Sequence, residues 1–256
     1  MKTSFADFPN RDWNKKLEFE FQVPGLADPK TGEDYVFRIF SVDPQAHLIG
    51  VTKPVGLLEG YSADAILVKA FQKNYHTEAA KPKVVEQYGF HQKHSEPIEF
   101  IGFVYETIFD RACEAEMNRY RHNSKNLESG RYVDYIKHGL TIVFPDDVKT
   151  PEEQDDFLQH TVVPDLIEYA KALKKGAKRQ AARRRLGYYL AVEGVYAINL
   201  RSLWHMARQR SQKLSPNGKE AEDQISSVVT QMVEGAMPHL PVFGDTVLKV
   251  ISEGYR

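Results

Sequence analysis

A chain of 256 residues, 42% hydrophobic and 27% charged, has the composition of an ordinary globular protein with enough apolar material for a sizeable core. Its 34 Lys and Arg against 35 Asp and Glu leave a formal charge of -1, which excludes a global field for nucleic acid or an anionic membrane and makes any anion site local. One cysteine, Cys113, excludes an internal disulfide and a cysteine-based zinc cluster.

The opening residues MKTSFADFPNRDWNKK hold no apolar run of signal-peptide length. No later segment approaches the roughly 18 to 20 apolar residues of a membrane span. A cytoplasmic protein with no membrane partner is expected.

Leu17, Phe19, Phe21 and Val23 alternate with Glu18, Glu20 and Gln22, the period of a half-buried strand that Pro24 and Gly25 end. Tyr35 to Val42 reads as a second strand, and the turn formers of GLADPKTGED between the two predict a hairpin with a long loop. A mixed apolar and charged pattern predicts a helix over 62–74. Val104, Ile108, Ala112, Cys113, Met117 and Tyr120 recur at spacings of three and four, which predicts a helix over 101–120 carrying Arg119 and Arg121 at its end. Cys113 then sits among apolar positions as a buried structural thiol rather than a nucleophile.

After the polar turn HNSKNLESGR, the run Leu140 to Phe144 predicts a short buried strand closed by Pro145. Thr150, Pro151 and Glu153 make a helix start: a hydroxyl cap, a proline at the first helical position and a glutamate placed for a capping box. The helix they open buries Val162, Val163, Leu166, Ile167, Ala170 and Leu173. A basic stretch, KALKKGAKRQAARRR, leads to a helix expected over 184–210 with Leu186, Tyr189, Leu190, Ile198, Leu203 and Met206 on one face. Tyr188, Tyr189 and Tyr196 are expected to pack there. A last amphipathic helix turns Ile225, Val228, Val229, Met232 and Val233 inward. The sum is an α+β protein, helix-rich, with a small central antiparallel sheet. Residues 1–45 form an N-terminal strand and hairpin extension, and 46–256 the main domain, as one folding unit.

The chemistry is concentrated in Arg119-Tyr120-Arg121, seven residues, then Ser129-Gly130-Arg131-Tyr132. Guanidinium forks, a hydroxyl and a glycine backbone with Asn126 in the loop are the groups that grip phosphate. A solvated helix end with a polar turn is the alternative on these residues alone. His91 and His94 lack a clear third ligand, so no metal is expected. No GxGxxG is present, which disfavours a Rossmann nucleotide fold. The basic run over 171–185 fits an anionic cofactor better than nucleic acid.

These residues resemble the flavin-dependent thymidylate synthases. That family is marked by Arg-His-Arg, seven residues, then Ser, usually continuing Gly-Arg-Tyr, and RYRHNSKNLESGRY keeps the spacing with Tyr120 in place of the histidine. Upstream, His94-Ser95-Glu96-Pro97-Ile98-Glu99 stands where the family has a similar histidine pattern, 25 residues before the first motif arginine. Asn199-Leu200-Arg201-Ser202-Leu203 with Arg210 matches a third feature, and Arg183 is the expected arginine sixteen residues before Asn199.

The resemblance implies the family fold with FAD bound by Arg119, Tyr120, Arg121, Asn126, Asn199, Arg201 and His205, and with His94 and Glu99 on the flavin and folate side. It implies a pyrimidine nucleoside monophosphate held by Glu116, Leu127, Glu128, Ser129, Gly130, Arg131 and Arg183, with Ser129 and Arg210 as catalytic residues and Arg210 facing the base. The implied reaction is C5-methylation, dUMP to dTMP in the family, with 5,10-methylenetetrahydrofolate as carbon donor and NADPH as reductant. UMP or dCMP as substrate, and a flavin or nucleotide-binding protein without methylase activity, are the alternatives. A homotetramer with shared active sites is implied too. Tyr120, Glu116 where a glutamine is usual, Leu127-Glu128 in inverted order, and His205 where an asparagine is more usual are the departures. A carboxylate at 116 would repel a phosphate unless it were protonated or turned away toward Arg119 or Arg121.

Overall fold

The computed structural model describes residues 11–27, 31–75, 81–92 and 94–254. The expected start of the chain through residue 10 and residues 28–30 of the hairpin loop lie outside the described residues.

Strand β1 (Lys16–Ala27) and β2 (Asp34–Ser41) pair antiparallel, with Phe21 opposite Phe37 and Glu20 opposite Arg38. The predicted hairpin is present, but β1 runs on through Pro24 and Gly25 to Ala27, and Leu17, expected on the inward face, is 49% exposed beside a register shift between Leu17 and Phe19. Strand β3 (Gln45–Val51) and α1 (Asp64–Asn74) follow, then α2 (Pro82–Val85), a π-helical turn over Glu86–His91 and a 3-10 turn over Glu96–Phe100. Next come β4 (Gly102–Asp110), α3 (Arg111–Met117), β5 (Asn123–Leu127), α4 (Tyr135–His138) and β6 (Leu140–Ile142). Helices α5 (Pro151–Phe157) and α6 (Val163–Lys174) are joined by a π-helical turn, Leu158–Val162. Helix α7 (Arg179–Ala182) and a 3-10 turn over Arg183–Arg185 precede β7 (Ala191–Asn199) and α8 (Leu200–Arg210). Helices α9 (Asp223–Ala236) and α10 (Gly244–Ser252) end the described chain.

Two segments expected as helix are strand. Within 101–120, residues 102–110 form β4 because Phe103, Tyr105, Thr107 and Phe109 alternate into the core, each fully buried, and aromatic and β-branched side chains suit a pleated surface. Only seven residues of that stretch, Arg111–Met117, are α-helical. Asp110 caps them by accepting the Cys113 amide at 2.7 Å, and Cys113 is buried as expected. Within 184–210, β7 occupies Ala191–Asn199 and the helix begins only at Leu200. The Val192, Val195, Tyr196 and Ile198 set is again β-branched and aromatic. A third difference falls on the polar turn: residues 123–127 form β5, whose Asn126 pairs with Val195 and Leu127 with Gly194.

The strands make two sheets. One has the order β1-β2-β6, with β2 and β6 parallel, and the other is four-stranded, β3-β4-β7-β5. The β3–β4 and β5–β7 pairs are antiparallel. The chain is α+β.

The residues group into two compact units. The first holds Met1–Asp43, Gly130–Phe144 and Val148–Ala191. Its core packs Phe37, Ile39 and Leu140 from the sheet against Leu166, Tyr169 and Ala170 of α6. Val162, Leu166 and Ala170 of the expected apolar face are buried, whereas Val163 and Leu173 are only partly so.

The second unit holds Pro44–Ser129, Pro145–Asp147 and Val192–Arg256. Its core centres on α9, whose Ile225, Val228, Val229, Met232 and Val233 are all buried as expected, against β3, β4 and α8. Some buried polar groups are satisfied across long sequence separations, while others, Tyr196 Oη and Trp204 Nε1 among them, have no hydrogen-bond partner among the described residues. Tyr105 Oη donates to the Met232 carbonyl at 2.7 Å, and Gln231 accepts the Ala46 amide and donates to the Pro44 carbonyl. Among the described residues no helix is long and apolar enough to cross a membrane.

Candidate nucleotide and cofactor site

Helix α8 is the element on which the site is built. Asn199 ends β7 and caps the helix, its Oδ1 accepting the Ser202 amide at 2.8 Å, so the residue expected at the cofactor has a structural duty as well. From this fixed start, Leu203, Met206 and Ala207 face the core, while Arg201, His205 and Arg208 project toward a cavity of about 700 Å³. Arg119, Tyr120, Arg121 and His122, in the turn after α3, line the same cavity, as do Ser95 and Glu99 of the 96–100 segment.

The cavity therefore gathers Glu99, Arg119, Tyr120, Arg121, Arg201 and His205 of the residues expected at FAD. It adds His122, Trp204 and Arg208, which motif matching did not single out. The Arg208 guanidinium lies 4.5 Å from the centre of the Trp204 ring and donates from Nη2 to the Val250 carbonyl at 2.7 Å. It thus ties α8 to α10 while presenting an aromatic and cationic wall. An i, i+4 relation between Trp204 and Arg208 was the signal available in the sequence.

Arginine dominates the lining, and Arg201 pairs with Glu99. The His205 imidazole is held below its usual value of 6.5, chiefly by desolvation and then by Arg208 and Arg201. Its ring meets Tyr120 edge-on, centres 6.2 Å apart. His94 lies apart from this lining: Tyr75 Oη stands 3.0 Å from its Nδ1, and the Tyr88 carbonyl accepts its backbone N–H. Asn199 lines a second hollow over the sheet end, with Arg121, His122, Asn123 and Ser124.

Arg210, in the last turn of α8, is gripped from two sides. Its Nη1 lies 2.8 Å from Glu116 Oε2, with side chains only 22% and 16% exposed, and its Nε donates to Tyr120 Oη at 3.2 Å. Tyr120 in turn donates to Gln209 Oε1. Burial pushes the Tyr120 phenol up, with Arg210 opposing, so it stays a neutral hydroxyl. Glu116 thus turns to Arg210, not to Arg119 or Arg121.

The remaining expected residues run across the boundary between the units, which falls after Ser129. In the second unit, Asn126 and Leu127 lie in β5, the Glu128 amide donates to the Glu193 carbonyl at 2.7 Å, and the Glu128 carbonyl accepts from Arg111. Leu127 packs over Gly194. In the first unit, Gly130 and Arg183 are adjacent: a Cβ at Gly130 would lie 3.0 Å from Tyr135 Oη and 3.3 Å from Arg183 Cδ. Glycine permits that approach. Arg131 is exposed beside Tyr132, its guanidinium 5.9 Å from the ring centre. Tyr189 and Tyr196 are buried as expected, but Tyr188 is 71% exposed and is not a packing residue. No group of three His, Cys, Asp or Glu gathers to hold a metal among the described residues.

Residues 57–242 match the family described as thymidylate synthase complementing protein. A flavin-dependent thymidylate synthase of Haloarcula marismortui is 24% identical over 155 residues, an alignment covering 51% of this chain and 60% of that protein's length. Among solved structures, the UMP/dUMP methylase PolB from Streptomyces cacaoi bound with 5-Br dUMP is similar at a TM-score of 0.66 and 18% identity, over 80% of this chain and 94% of that one. Thymidylate synthase X from Helicobacter pylori with FAD and dUMP is similar at 0.60 and 16%, over 80% and 99%. At such identities the structural likeness is one of fold.

Proposed function

This chain belongs to the thymidylate synthase complementing protein family, and from that premise we propose that it binds FAD in the cavity beside α8 and methylates C5 of a pyrimidine nucleoside monophosphate. The observation that carries this reading is the gathering of Arg119, Arg121, Arg201 and Arg208 with Tyr120, Trp204 and His205 around one cavity of about 700 Å³. That volume is within the range of roughly 300–1,000 Å³ typical of ligand pockets. Guanidinium forks suit a pyrophosphate, and aromatic faces suit a flat ring system. The residues present fit the cofactor.

When bound, reduced FAD supplies a hydride, 5,10-methylenetetrahydrofolate the carbon, and NADPH the electrons that restore the reduced flavin. What the chain itself does is hold and polarise. Arg119, Arg121 and Arg201 neutralise phosphate charge, and Trp204 with Tyr120 sets the width of the cavity. Gly130, Arg131 and Arg183 hold the nucleotide phosphate, with Ser129 donating its hydroxyl. Arg210, held beside Glu116 and Tyr120, directs N–H groups at the edge of the base. Cys113, buried and with its thiol pushed well up chiefly by desolvation, takes no part as a nucleophile.

The reading is tested by anaerobic turnover with FAD, NADPH and methylenetetrahydrofolate, offering dUMP, UMP and dCMP separately and weighing each product by mass spectrometry. A gain of one methyl group on any of them supports the reaction. Retained FAD with no gain on any nucleotide supports instead a flavin-binding protein without methylase activity.

A further inference from the structure

Glu116 is an anion set among cations. From α3 its carboxylate reaches Arg210, 2.8 Å away, and both side chains are largely covered. With Nε given to Tyr120 Oη at 3.2 Å, the guanidinium is restrained and its charge is locally balanced, while Glu116 Oε2, close to it but not aligned for a hydrogen bond, has no hydrogen-bond partner of its own among the described residues. A balanced pair is a poor host for an anionic base, because the carboxylate cancels much of the field that would favour a pyrimidine lacking its N3 proton. It suits a neutral base edge that offers donor and acceptors together.

The two pyrimidine edges differ in the order of those groups. Uracil presents acceptor, donor, acceptor: O4, N3–H and O2. A carboxylate takes N3–H and a guanidinium takes one carbonyl, which leaves the other carbonyl against a carboxylate that has no proton to give. Cytosine presents donor, acceptor, acceptor: the 4-amino group, N3 and O2. There the carboxylate accepts from the amino group while guanidinium N–H groups meet N3 and O2, so every edge atom is paired. A glutamine at position 116 would offer an N–H to O4, whereas glutamate offers acceptors only. Sites built on such hydrogen bonds reject a mismatched edge strongly, because the mismatch leaves covered polar groups unpaired.

We infer that the Glu116–Arg210 pair selects a cytosine nucleoside monophosphate over a uracil one, an inference that rests on the proposed placement of Arg210 at the base. Equilibrium binding of dCMP, of dUMP and of the 2-pyrimidinone deoxynucleotide, which lacks the 4-amino group, to the FAD-loaded protein by titration calorimetry tests it. Binding of dCMP at least about ten-fold tighter than dUMP is expected, with the margin lost for the analogue and narrowed in Glu116→Gln, whose amide can turn either its carbonyl to the 4-amino group or its N–H to O4. Equal or tighter binding of dUMP to the unaltered protein overturns the inference and leaves the proposed function standing. If none of dCMP, dUMP and their ribonucleotide counterparts CMP and UMP binds, the placement of Arg210 and the inference fall together. The comparison on the unaltered protein decides the matter even where the substituted chain folds poorly.

Discussion

Arg210, proposed to face the base, is restrained by its neighbours in the free chain. Glu116 and Tyr120 restrain its guanidinium before any substrate arrives, so less rotamer freedom is lost on binding. Replacing it, Arg210→Ala, is expected to abolish nucleotide turnover while flavin absorbance remains with the purified protein; near-normal turnover would remove Arg210 from the site. His205 provides a pH handle on the same wall. Its lowered value means that the folded chain prefers the neutral ring, a contribution fully present above about 6.5 and lost as pH falls through the folded-state value. An anionic ligand beside it should raise that value. Proton NMR is expected to show a His205 midpoint below 6.5 in the free protein and a higher one with FAD bound, and a midpoint unmoved by FAD would place the cofactor elsewhere.

Elements owe their limits to a few identifiable groups. Thr150 and Glu153 close a full capping box at the start of α5, with the Glu153 amide donating to Thr150 Oγ1 and Glu153 Oε2 accepting the Thr150 amide at 2.8 Å. Thr150→Ala should lower stability by about 1 kcal/mol, read from denaturant unfolding. Gly194 is the tight point of the β5–β7 ladder. A Cβ there would lie 2.2 Å from Leu127 Cδ2 and 2.9 Å from the Asn126 carbonyl oxygen; the leucine tip can move, but the carbonyl belongs to the ladder. Gly194→Ala is expected to depress the melting temperature and weaken protection of the Asn126 and Glu128 amides, which face β7, to hydrogen exchange. Unchanged protection would show that the edge strand yields without cost. That ladder was hidden in the sequence because HNSKNLESGR is built of turn-forming residues, and only the neighbouring strand supplies their backbone partners.

At the scale of the molecule, the residues proposed to grip the phosphate and the arginine proposed to face the base belong to different compact units: Gly130, Arg131 and Arg183 to one, Arg210 and Glu116 to the other. Assembly of sites from several copies of the chain is the family's solution and is proposed for this protein. Light scattering at micromolar concentration should give four times the 29.3 kDa chain mass. A monomer that still turns over nucleotide would rule out shared sites.

The sequence by itself carried whatever depends on near neighbours along the chain. The alternation of Phe19, Phe21 and Val23 in β1, the capping box of α5 and the inward stripe of α9 are read at spacings of two, three and four, and each survives in the structure. The motif residues Arg119 to Arg121 and Arg201 to Arg210 were legible for the same reason, as fixed spacings. Tertiary structure alone decided whether residues 102–110 and 191–199 were helix or strand. Apolar side chains at 104, 108 and 112 satisfy a helical period, yet the segment around them is also rich in the aromatic and β-branched residues of a strand. The choice came from partners far along the chain: β3, whose His47 pairs with Glu106, and β5, whose Lys125 pairs with Tyr196. The partner of Glu116 was decided in the same way. Arg119 and Arg121 are its neighbours in sequence, but the packing of α8 brings Arg210 within 2.8 Å, and a largely covered carboxylate pairs with the cation that the fold delivers to it.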